Sequence, residues 1–121
     1  MFYEERMKRS KKKLTMPIGT DLVAGIAWYS SDQWADLRHV VSDPDALEPT
    51  YEDWQHVVRR TVPALINKGM KLVKVPVDLD ELVNWCRHQG RVIDADARAQ
   101  YVVELLRERG ASSFERLTTR I

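Results

Sequence analysis

The chain reads as a small α/β (or α+β) domain in the order β-α-α-β-α-α, with a two-stranded parallel sheet packed by helix pairs. Three observations predict this. Two apolar runs, Val23-Ala24-Gly25-Ile26-Ala27-Trp28-Tyr29 and Leu72-Val73-Lys74-Val75-Pro76-Val77, each meet helix-capping residues. Two amphipathic segments follow each run. Landmarks also recur: Trp34 and Trp85 lie 51 residues apart, Asp45 and Asp94 49, and Tyr51 and Tyr101 50. The recurrence predicts a degenerate internal duplication, with the two units superposable and their strands adjacent and parallel.

The first strand is bounded by Asp21 and Tyr29. It is apolar on both faces, which suits a strand covered by helices or lying at an interface. Ser31 is read as the N-cap of the first helix, with Trp34, Leu37, Val40 and Val41 on one face. Asp43-Pro44 ends it, because proline disfavours helical backbone in the residue before it. Thr50 caps the second helix, and Tyr51, Trp54, Val57, Val58, Leu65 and Ile66 form its stripe. Pro63 lies inside it and predicts a kink near Arg59. Gly69 is its stop.

The second strand is read over about Lys71 to Val77. Lys71, Lys74 and Pro76 place part of it near an edge, since proline cannot donate to a ladder. Asp78 caps the third helix, whose buried face is Leu79, Leu82, Val83 and Cys86. Asp94 caps the fourth, along which Ala97, Tyr101, Val102, Leu105 and Leu106 line up. Gly90 and Gly110 are the stops.

The 121 residues make one domain. The globular part is read as 21–110, preceded by a basic mobile arm over 1–20 and followed by a C-terminal tail over 111–121. Formal charge is +1 overall but unevenly spread. Residues 1–20 carry six basic and two acidic groups, whereas 21–106 carry nine basic and fourteen acidic. Basic ends on an acidic body can attract nucleic acid, stay as solvated tails or fold back onto the body. No run approaches the roughly 18 apolar residues of a membrane span, and no secretory signal is seen. One cysteine, Cys86, excludes an internal disulfide and points to a reducing, cytoplasmic setting.

No chemistry assembles in the sequence. Asp78, Asp80 and Glu81 form the densest acidic cluster, and first-turn acids cap helices and complement their dipoles. Cys86 and His88 have no partners at metal-ligand spacing. There is no glycine-rich phosphate loop and no nucleophile motif. The expectation is no cofactor, no metal and no catalytic residue. Trp28 and Tyr29 end a strand, where open α/β sheets bind ligands, so Trp28, Tyr29, Asp78 and Asp80 are the candidate ligand or partner residues. Lys8, Arg9, Lys11, Lys12 and Lys13 are the candidate nucleic-acid arm.

The segments Ala27-Trp28-Tyr29, Thr50-Tyr51-Glu52-Asp53-Trp54, Val75-Pro76-Val77-Asp78, Trp85-Cys86-Arg87 and Asp94 to Tyr101 resemble a family of small uncharacterised bacterial proteins. The resemblance spans roughly residues 22–108. It implies a cytoplasmic bacterial protein without a classical enzyme fold, and it transfers no site residues. Three function classes stay open. The first is a non-enzymatic interaction or regulatory module, acting as a homodimer or with a protein partner; two-fold strand pairing would cover the apolar strand around Ile26. The second is nucleic-acid binding through the arm. The third is a small-molecule crevice near Tyr29 and Asp78.

Overall fold

The computed structural model describes residues 23–120, so the arm over 1–20, with Lys8, Arg9, Lys11, Lys12 and Lys13, lies outside the described residues. Within them the chain forms a mixed α/β domain. The order is β1 (Val23–Trp28), α1 (Ser31–Val40), a 3-10 turn (Pro44–Ala46), α2 (Tyr51–Asn67), β2 (Lys71–Pro76), α3 (Leu79–His88), α4 (Ala95–Arg109), a second 3-10 turn (Ala111–Ser113) and β3 (Glu115–Arg116).

Helix starts follow from side-chain oxygens that accept otherwise unbonded backbone N–H groups. Thr50, Asp78 and Asp94 each accept from the residue three positions on. At α1 the cap is Ser30 rather than Ser31. Ser30 accepts from the Gln33 backbone while Gln33 Oε1 accepts from Ser30 N at 2.8 Å, a reciprocal box that fixes the helix start one residue earlier. Gly69, Gly90 and Gly110 all have positive φ, which is why each ends a helix.

β1 and β2 are adjacent and parallel, from Val23 beside Lys71 to Trp28 beside Pro76. The sheet is not two-stranded. β3 pairs antiparallel with β2, setting Val73 beside Arg116 and Lys74 beside Glu115, so β2 is central. The tail expected over 111–121 therefore supplies a strand. Leu117 N donates to Leu72 O at 2.9 Å, and the Leu117 side chain is buried. β2 tolerates its polar and proline residues for local reasons. Lys74 reaches Glu115 across the strands at 3.8 Å. Pro76 lies beyond the reach of β3, on the side where its missing N–H leaves no ladder bond unmade.

Alternation along the strands divides the core in two. Val23, Ala27, Tyr29, Val73, Val75 and Val77 face a cluster built with α1, α3 and α4. Ala24, Ile26, Trp28 and Leu72 face a smaller one built with α2 and Leu117. Gly25 lets α4 approach β1 closely: a Cβ there would stand 2.7 Å from Val102 Cγ1 and 3.0 Å from Leu106 Cδ1.

β1 and β2 are each followed by two helices, but the fifty-residue recurrence does not mark equivalent places. Paired strand residues are 48 apart, as are the caps Ser30 and Asp78. Counted from those caps, Trp34 corresponds to Leu82, and Trp85 to Leu37. Trp34 is 4% exposed and Trp85 only half-buried. The two tryptophans sit one turn out of step on their helices.

Candidate interaction surface

The predicted crevice residues do not line one open space. Trp28 and Tyr29 face opposite clusters. Trp28 is half-buried, edge-on to Trp54 at 5.4 Å between centroids, with Lys74 Nζ 5.0 Å from its ring. Tyr29 is 5% exposed and packs edge-on against Trp34 and Trp54. Burial pushes its hydroxyl up to about 12, against a smaller opposing effect of the Arg98 charge. Val77 is buried beside it, and Gln33 Nε2 donates to Val77 O at 2.7 Å. The space at the strand ends is thus filled by Tyr29, Val77 and the Gln33 bridge. Asp78 Oδ1 accepts from Glu81 N at 3.1 Å, which commits it to capping, and Asp80 lies exposed in the same first turn.

Elsewhere the polar groups are engaged structurally. Cys86 is 1% exposed, and burial pushes its thiol up, away from the reactive thiolate. His39, His56 and His88 are all exposed. Among the described residues no three His, Cys, Asp or Glu side chains gather to hold a metal. An open groove of about 510 Å³ beside α1 contains Arg38. That guanidinium already donates to the carbonyls of Pro44, Leu47 and Glu48, at 3.1, 3.3 and 3.0 Å. A second groove, about 300 Å³, separates α3 from α4 around Trp85 and Tyr101. The first is also lined by Ser31, His39 and Thr50, and in the second Tyr101 bonds the Glu81 carboxylate. No helix among the described residues is long and apolar enough to cross a membrane.

The remaining feature is the side of β1 turned away from β2, unpaired among the described residues. Val77 N donates to Trp28 O, which fixes the phase of the parallel ladder. Ala24, Ile26 and Trp28 therefore turn their backbone groups toward β2, while Val23, Gly25 and Ala27 turn theirs to the open edge. Among the described residues no strand pairs with that edge. Its sequence, VAGIAW, has no charge and no proline, the devices by which edge strands ordinarily repel additional strands. All six residues are half-buried.

α4 packs over β1, with one flank turned to α3 through Tyr101 and Glu104. Its opposite flank carries Ala99, Val103 and Leu106, spaced so as to share a face. Ala99 and Leu106 are half-buried, and Val103 is 40% exposed. An apolar helix flank thus accompanies the apolar edge. Val103 stands outside the core stripe that periodicity picks out, and its only sequence signal is being apolar where that stripe has ended.

Comparison of the chain with protein-family models, with curated proteins and with solved structures returned no match.

Proposed function

We propose that this protein is a non-enzymatic interaction module that takes up an extended strand of protein, from its own copy or another chain, on the free edge of β1. The carrying observation is that edge: six uncharged residues with the backbone groups of Val23, Gly25 and Ala27 turned outward. Strand addition draws its affinity from main-chain hydrogen bonds and its selectivity from pockets for alternate side chains. The outward backbone groups of β1 offer the first, and the half-buried side chains of Ile26 and Trp28 lie beside them. The buried single thiol of Cys86 supports a cytoplasmic setting for this role.

The test is backbone-amide NMR on the full chain. One titration adds a synthetic peptide of residues 23–28 flanked by lysines. A second raises the protein concentration from micromolar to millimolar. Shifts concentrated at Val23–Trp28 in either series support the reading. Unperturbed β1 amides in both, in a chain that sediments as a monomer, would overturn it.

A further inference from the structure

We propose that the strand seated on the β1 edge is β1 of a second copy of this chain, paired antiparallel about a two-fold axis at Gly25; this rests on the edge reading above and names its partner. An isologous pair needs a surface complementary to itself. Pairing centred on Gly25 sets Val23 opposite Ala27 of the other copy, and Ala27 opposite its Val23. Those are the residues whose backbone groups face outward, so every outward N–H and C=O from Val23 to Ala27 acquires a partner. Ala24 then stands opposite Ile26, apolar against apolar, on the face that α2 covers. The strand pair itself buries no side-chain charge, because β1 has none.

α4 extends the contact. Val102 and Leu106 meet β1 at Gly25, so the intervening Val103 lies at the level of the axis. Each α4 then turns Ala99 and Val103 toward its mate, and the small Ala99 permits close approach of the two helices. Size selects this arrangement over strand pairing alone. A six-residue edge is about 20 Å long. With a helix layer roughly 10 Å thick on each face it presents on the order of 600 Å² per copy. A pair would bury about 1,200 Å², the lower end of specific interfaces, whereas a bare strand edge falls far short. The 40% exposure of Val103 is covered in this arrangement.

The experiment is sedimentation equilibrium of the full chain and of Val103→Glu, with Val92→Glu as a charge control at another exposed valine, 60% accessible. Val103 is on the surface of the single chain, so the substitution leaves folding intact, which circular dichroism checks. The wild type and Val92→Glu are expected at twice the 14.1 kDa chain mass. In Val103→Glu two carboxylates meet at the axis, and the dimer dissociation constant is expected to rise at least about thirtyfold. A wild type that stays monomeric into the millimolar range, while the lysine-flanked peptide still shifts the β1 amides, overturns the second copy and leaves the edge reading standing. A monomer whose edge ignores the peptide overturns both. A dimer equally tight in Val103→Glu overturns the axis at Gly25 and the α4 contact.

Discussion

Arg98 donates to Asp43 Oδ1 across 2.8 Å, joining the loop after α1 to the first turn of α4, 55 residues later. Arg98 is the one charged residue buried among the described residues. It also donates to Ile93 O at 3.2 Å, while Asp43 Oδ2 accepts from Ala95 N at 2.9 Å. Ser42 N donates to the same Ile93 carbonyl. The α1–α2 loop is thereby pinned to the α4 N-terminus, and α4 is held over β1, where the interaction edge lies.

The two partners tolerate loss unequally. The Arg98 side chain is 9% exposed and Asp43 29%. Asp43→Ala leaves a buried guanidinium unpaired and should cost about 3 kcal/mol in urea unfolding. Arg98→Met should cost clearly less, because water can reach Asp43 and its bond from Ala95 remains. Equal losses would contradict the pinning account.

The same pair makes stability depend on acid. Partial burial raises the Asp43 carboxyl, but the bonds from Arg98 and Ala95 and the Arg98 charge outweigh it and hold it below the ordinary 3.8. A depressed folded value means the contribution is present above 3.8 and is lost as pH falls through the folded value. Unfolding free energy measured below pH 4 should therefore fall more steeply with acid in the wild type than in Asp43→Asn. Parallel curves would contradict this.

Gly25→Ala should destabilise by about 1–3 kcal/mol through overpacking. The added methyl meets Val102 at 2.7 Å, Val75 at 2.9 Å and Leu106 at 3.0 Å. Combining it with Val102→Ala should recover part of the loss, read as a coupling in a double-mutant cycle.

Leu117→Ala should cost about 2–3 kcal/mol, since Leu117 is 6% exposed and packs with Val58, Val62 and Leu72. A tail without a structural role would lose almost nothing.

These residues also mark what the sequence discloses. Local signals were legible: apolar runs became β1 and β2, Thr50, Asp78 and Asp94 cap helices, and Gly69, Gly90 and Gly110 end them. Each depends on bonds within a few residues. β3 was not legible, because two residues, Glu115 and Arg116, carry no periodicity and gain strand character only from β2. Arg98 carries no signal of its burial, since nothing near it in sequence announces Asp43. At the end of its apolar run Tyr29 has the position of a crevice residue, yet strand alternation turns it into the core beside Trp34. The open edge is a property of topology, visible only once β1 is known to have β2 on one side.

The most direct measurement of the central claim is amide hydrogen exchange along β1 at two protein concentrations. At micromolar concentration Ala24 and Ile26, turned to β2, should be protected, while Gly25 and Ala27, turned to the edge, should exchange fast. At millimolar concentration Gly25 and Ala27 should become protected as well. Gly25 and Ala27 that still exchange fast at millimolar concentration would contradict an edge that another copy of the chain completes.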